Sequence, residues 1–183
     1  MNKKYFCFIL IFLCLAAIIG DPCLVPAEQY SKDVNVRLCF TPGSSCTDKI
    51  IKEIASARSE ILIQAYSFTS APIAKALIDA HKRGVKVTAI LDKSQRTARY
   101  TSATFLANMR IPTYIDSKHA IAHNKIMIID GSTTITGSFN FTRAAEEKNA
   151  ENLLIINSKE IAKAYRENWH EHLKHSERYE PRY

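Results

Sequence analysis

His123 and Lys125 stand two residues apart in the segment Ala-His-Asn-Lys-Ile-Met-Ile-Ile-Asp-Gly at 122–131. On an extended strand that spacing turns both side chains to one face. A neutral imidazole is able to attack phosphorus, and an ammonium beside it neutralises the charge that grows on the non-bridging oxygens. The apolar run at 126–129 buries the strand that carries them and so fixes their geometry. Gly137-Ser138-Phe139-Asn140 repeats the two-residue spacing with Ser138 and Asn140, both able to donate to phosphate oxygens, while Gly137 lets the backbone come close. Taken singly, a histidine on a strand is usually a core or surface residue, and Gly-Ser-x-Asn is usually a turn. The weight lies in their joint spacing.

That spacing is His, Lys two later, Asp130 five after that, then Gly-Ser-x-Asn. It resembles the HKD signature of the phospholipase D superfamily and agrees with it at His123, Lys125, Asp130, Gly137, Ser138 and Asn140. Ala-Tyr-Ser-Phe-Thr at 65–69, Arg-Gly-Val at 83–85 and Gly-Ser-Phe-Asn-Phe-Thr at 137–142 are similar to the small, single-motif branch of Nuc-type bacterial endonucleases. The resemblance implies a phosphodiesterase working through a phosphohistidine intermediate, with no cofactor. It also implies a homodimer, because the reaction uses two histidines and each chain supplies one motif. His123 is then the nucleophile, and the partner's His123 is the acid for the leaving oxygen. Lys125, Ser138 and Asn140 hold the phosphate. Glu151 stands where that branch carries a carboxylate bonded to the nucleophilic imidazole, and Asp130 positions the motif or the interface.

The elements that must place these residues read as alternating strands and helices. Strands are expected at 34–40, 61–66, 85–91, 114–116, 126–129, 134–136 and 153–156, and helices at 47–58, 71–83, 101–110 and 160–174. In the last helix Ile161, Tyr165, Trp169 and Leu173 repeat every four residues, and the charged stretch 175–183 reads as a fraying end. Early strands separated by helices imply βαβ units. The expected fold is therefore an α/β layered α/β/α sandwich with a mixed, mostly parallel central sheet of the phospholipase D type, formed by one domain over 28–183.

Ahead of that domain, Lys3 and Lys4 precede an unbroken apolar run at 5–19, closed by Gly20, Asp21 and Pro22. This pattern reads as a signal peptide over 1–27, with small residues at Val25 and Ala27 before a cut at Glu28. The alternative is an uncleaved anchor, since the run is only slightly short of the about 20 residues that span a bilayer. Either way the protein is expected to be exported, to the periplasm or beyond, or to stay tethered to the membrane. Three of the five cysteines fall in the signal, leaving Cys39 and Cys46 around a Pro-Gly turn. In an oxidising compartment that pair is a candidate disulfide.

No metal is expected in catalysis. His119 and His123 are four apart, as a helical ligand pair would be, but the glutamate of a zincin motif is missing and a strand follows directly. His170, His172 and His175 read as solvated histidines.

For the substrate, the net charge of +7 favours polyanions. The segment 93–100 presents Lys93, Arg96, Arg99 and Tyr100 after a strand, and Lys118 and Arg143 flank the motif. Basic side chains with an aromatic suit a nucleic acid backbone and a stacked base. Nucleic acid is the first expectation, and a phospholipid, cleaved to phosphatidic acid, is the second. The motif chemistry is the same for both.

Overall fold

The computed structural model describes residues 34–98 and 101–181. The expected signal peptide, Arg99 and Tyr100 lie outside the described residues.

The chain runs through β1 (Asn35–Thr41), α1 (Cys46–Ser56), β2 (Glu60–Ala65), α2 (Ala71–Lys82) and β3 (Lys86–Asp92). A 3₁₀ turn (Lys93–Arg96), α3 (Ser102–Asn108), β4 (Thr113–Asp116), β5 (Lys125–Ile129) and β6 (Thr133–Gly137) follow. The chain then forms α4 (Arg143–Glu147), β7 (Glu151–Asn157), α5 (Lys159–His175) and β8 (Glu177–Arg178). The eight strands of the described residues share one sheet in the order β1-β7-β6-β5-β2-β3-β4-β8.

The sheet is mixed but mostly antiparallel, which corrects the expectation of a mostly parallel one. Only the β2/β3 and β3/β4 pairs are parallel, and the other five are antiparallel. A parallel neighbour needs a helical crossover, and an antiparallel one needs only a turn. Helical crossovers between neighbouring strands join β2 to β3 and β3 to β4, whereas α1 carries the chain from β1 to β2 past three intervening strands. Further on, β5 returns as β6 through the short turn Asp130-Gly131-Ser132, so the alternation that suggests βαβ units ends at β4.

Helices cover both faces. Ile50 and Ile54 of α1, Ile73 and Leu77 of α2, and Leu106 of α3 pack with Ile61, Ile63, Leu91, Met127 and Ile135 on one side. On the other, Ala162 and Trp169 of α5 cover Leu62, Ile90, Ile126 and Ile128. The Trp169 indole N–H donates to the Ile63 carbonyl at 2.9 Å, so the largest side chain of α5 is both buried and satisfied. The stretch after α5 does not fray where described. Its β8 pairs with β4, and Tyr179 is buried with its hydroxyl 2.7 Å from that of Thr104.

The cover from α5 does not reach the far edge of the sheet. Val36, Ile156, Thr134, Ile128 and Leu62 form one row across five strands, which places Val36 on the α5 side. Val36, Leu38 and Phe40 alternate along β1 and are 45%, 56% and 58% exposed. They leave a bare apolar stripe beside the last strands.

The Asp130 turn ties the motif strand to the rest. Asp130 sits at φ +52°, and its carboxylate accepts from the backbone N–H groups of Arg58 (2.9 Å), Ser59 (2.8 Å) and Glu60 (3.0 Å), and from the Ser59 hydroxyl (2.8 Å). Burial pushes its pKa up, but the bonds from Glu60, Ser59 and Arg58 hold it below the ordinary 3.8. Asp130→Ala should therefore cost about 2–4 kcal/mol in urea unfolding at pH 7, and Asp130→Asn less. The sign follows from the lowered pKa. The carboxylate stabilises the fold above its unfolded value, and that contribution disappears as pH falls through the folded one. The gap between wild type and variant should close in strong acid.

Candidate active site

The β4–β5 loop carries His123, and two buried carboxylates at neighbouring strand ends fasten it. Asp92 ends β3 beside Asp116, which ends β4. Asp92 Oδ2 accepts the Ala122 N–H at 2.8 Å while Oδ1 caps the 3₁₀ turn through the Ser94 N–H at 2.9 Å. Asn124, next along, bonds the Gln64 side chain at 3.0 Å, and its carbonyl accepts from the Tyr66 N–H at 2.8 Å. Neither Asp92 nor Gln64 was legible as a site residue, because each supports the loop from a strand distant in sequence.

His123 is exposed and Lys125 is buried. The Lys125 ammonium donates to the His123 carbonyl at 2.7 Å and lies 5.2 Å from the centre of the Tyr66 ring. That same ring packs against the His123 imidazole with centroids 4.7 Å apart. Tyr66 thus fixes both motif side chains, through a tilted ring contact and a cation–π contact. The quoted segment 65–69 contained it, but nothing in its spacing marked the role.

Gly137, Ser138 and Glu151 meet where β6 and β7 pair. The Ser138 hydroxyl donates to Glu151 Oε2 at 2.5 Å and accepts from the Asn152 N–H at 3.0 Å and the Asn152 side chain at 3.2 Å. Glu151 Oε1 accepts from Asn149 at 3.0 Å. Ser138 is therefore engaged in holding Glu151 and Asn152, and no hydrogen bond joins Glu151 to His123 among the described residues. The charge of Glu151 acts instead on Lys125. Burial lowers the Lys125 pKa below 10.5, and the nearby carboxylate partly restores it. Removing that charge with Glu151→Gln should move the alkaline limb of the pH–rate profile to lower pH, read as kcat/KM from pH 7 upward. An unmoved limb would detach Lys125 from that limb. Asn140 is half-buried, and its buried amide oxygen has no hydrogen-bond partner, a state that ordinarily costs about 1–3 kcal/mol.

The basic candidates are largely committed elsewhere. Arg96 pairs with Glu177 at 2.5 Å and Arg143 with Glu147 at 2.7 Å. Lys93 donates to the His119 carbonyl at 3.2 Å, and Lys118 is exposed. The candidate disulfide is present: Cys39 and Cys46 are bonded, with Cα atoms 5.7 Å apart. His119 is not paired with His123. It turns to Asp116, together with His172 and His175.

The family model of the cardiolipin synthase, PLD-like domain matches residues 50–173, a span that holds the motif, its strands and most of α5. The chain belongs to the phospholipase D superfamily. Proteins called phospholipase D are similar to it. That of Rickettsia typhi is 43% identical over 135 residues, covering 74% of this chain and 66% of that protein. That of Rickettsia felis is 46% identical over 134 residues, covering 73% and 67%. The chain thus spans about two thirds of the length of these relatives. Among solved structures, the phospholipase D family member Nuc from Salmonella typhimurium superposes with a TM-score of 0.77 at 38% identity, covering 80% of this chain and 99% of that one. HKD-type phosphodiesterase chemistry is accordingly that of this superfamily, and the chain resembles its Nuc-type branch.

Proposed function

We propose that the protein is an exported, dimeric phospholipase D that hydrolyses a phospholipid to phosphatidic acid and the free head-group alcohol without a catalytic metal. The observation that carries the lipid assignment is Ile121, an apolar side chain 57% exposed only two residues before His123. A large apolar group exposed this near His123 in the chain suits an acyl-chain surface better than a polyanion. Arg96 and Arg143, which a nucleic acid would need, are already neutralised by Glu177 and Glu147. The name of the rickettsial relatives supports the same substrate class.

In this mechanism the His123 imidazole attacks phosphorus and the bond to the head-group oxygen breaks. The partner's His123 gives its proton to that leaving oxygen. Water then loses a proton to the same imidazole and attacks the phosphohistidine, freeing His123 and phosphatidic acid. Lys125 neutralises charge on the non-bridging oxygens. The single motif histidine per chain and the bare stripe of Val36, Leu38 and Phe40, ending opposite Asn152, support pairing of two copies. The Cys39–Cys46 bond supports an oxidising compartment.

The test sets phosphatidylcholine vesicles beside single-stranded DNA, with His123→Ala as the blank. Choline and phosphatidic acid are expected from the vesicles. Cleavage of DNA that falls steeply with salt, with vesicles untouched, would overturn the lipid assignment and make the protein a nuclease. Inertness toward both would remove the phosphodiesterase reading.

A further inference from the structure

Three histidines and an aspartate converge at the end of β4, next to the outermost strand β8. Asp116 ends β4 and is fully buried, His119 lies on the β4–β5 loop, and His172 and His175 occupy the last turn of α5. Asp116 Oδ2 is 2.8 Å from His172 Nδ1, 3.1 Å from His119 Nδ1 and 3.3 Å from His175 Nε2. The three rings form a nearly equilateral triangle, with centroids 5.0, 5.2 and 5.4 Å apart. The four ligand atoms all lie within 4.8 Å of one another.

Two readings compete for this geometry. In one, a buried carboxylate is satisfied by three imidazole N–H groups. That brings three donors to Oδ2, which has two lone pairs, with His119 Nδ1 also 3.2 Å from Oδ1. In the other, each group turns one lone pair to a common cation. Tetrahedral zinc with ligands at about 2.0–2.2 Å requires ligand atoms about 3.3 Å apart and imidazole centroids about 5 Å apart. The distances from Asp116 to the three histidines and the ring spacings are close to these values, and the ligand atoms, within 4.8 Å of one another, would draw closer on binding. The other oxygen, Asp116 Oδ1, accepts the Lys118 N–H at 3.1 Å, an outer bond that fixes the carboxylate. The C-terminal end of α5 adds the negative pole of its dipole.

We propose that Asp116, His119, His172 and His175 form a structural zinc site that pins the β4–β5 loop to α5. Three nitrogens and one oxygen select a borderline transition ion over magnesium or calcium. Four protein ligands leave no open position for a reacting water, so the site is structural. It clamps the loop four residues before His123, and the Asp92 bond to Ala122 holds the same loop one residue before it. Its metal takes no part in the His123 reaction.

The test uses the full chain without a histidine tag, stripped with chelator and titrated with ZnCl2 against a chromophoric competitor. One zinc per chain at sub-micromolar affinity is expected, with a rise in melting temperature. CoCl2 should give the visible absorption of a tetrahedral nitrogen–oxygen site. The double variant His172→Ala/His175→Ala should weaken zinc binding on the order of 100-fold or more. His170→Ala, on the same helix but outside the cluster, should leave it unchanged. If the double variant fails to fold, His119→Gln on the loop serves in its place. Absence of stoichiometric zinc or cobalt binding by the wild type would overturn the site and leave a hydrogen-bonded ion cluster. Binding undiminished in these ligand variants would do the same.

Discussion

Replacing His123 with alanine should lower turnover of a chromogenic phosphodiester by at least about 10⁴-fold, because in the proposed mechanism this residue performs both nucleophilic attack and proton delivery. The fold should hardly notice. His123 is exposed, and a surface substitution of this kind shifts stability by about 0.5 kcal/mol or less. The two effects are separable by measuring kcat and thermal unfolding on the same sample. A second consequence distinguishes a shared site from a self-sufficient one. In the proposed shared site, a mixed dimer of wild-type and His123→Ala chains would have one motif imidazole and lack either nucleophile or acid. Co-expression with excess variant should therefore depress activity per wild-type chain. Activity that merely tracks the amount of wild-type chain would mean that one imidazole is enough.

Gly137→Ala should destabilise the protein by about 3 kcal/mol or more in denaturant unfolding. Gly137 has φ +140°, in a region that side chains rarely enter, and a Cβ there would collide with the Asn152 carbonyl oxygen. That oxygen belongs to the neighbouring strand and accepts from the Ser138 and Phe139 N–H groups, so it has no room to retreat without opening the β6/β7 pair. The change should also loosen Ser138 and with it Glu151 and Asn152. Gly131→Ala supplies the control. Its φ of +61° is also positive, but a Cβ there meets nothing within 4 Å, so the cost should be only about 1–2 kcal/mol. Equal losses at the two positions would mean that backbone conformation alone, not the clash, decides.

The motif was legible because its residues are close in sequence and its chemistry is local to two strands. The same holds for α5, where apolar repeats every four residues announce a buried face, and for the strand cores. Sheet direction was not legible. It depends on which strands become neighbours, and β1 lies beside β7 rather than β2. Three short elements also escaped. The 3₁₀ turn after β3 and α4 are too short to show periodicity, and β8 is two residues long, defined by pairing with β4 rather than by composition. The site's support escaped for the same reason. Asp92 and Asp116 look like ordinary acidic residues until the parallel β3/β4 register sets them side by side. His172 and His175 look solvated until α5 returns across the sheet to Asp116.

The two margins of the sheet are finished differently. At one end, β8 gives β4 a two-residue, charged outer strand, and the Tyr179 N–H donates to the Thr113 carbonyl just beyond it. A brief, charged margin of that kind is a poor template for adding another strand. At the other end, β1 offers seven residues in regular register, with an apolar stripe on one side. Uncontrolled fibre-like growth needs two sticky margins to propagate, and this sheet has one. Copies joined along β1 would stop at a pair, so the β8 margin guards against open-ended polymerisation.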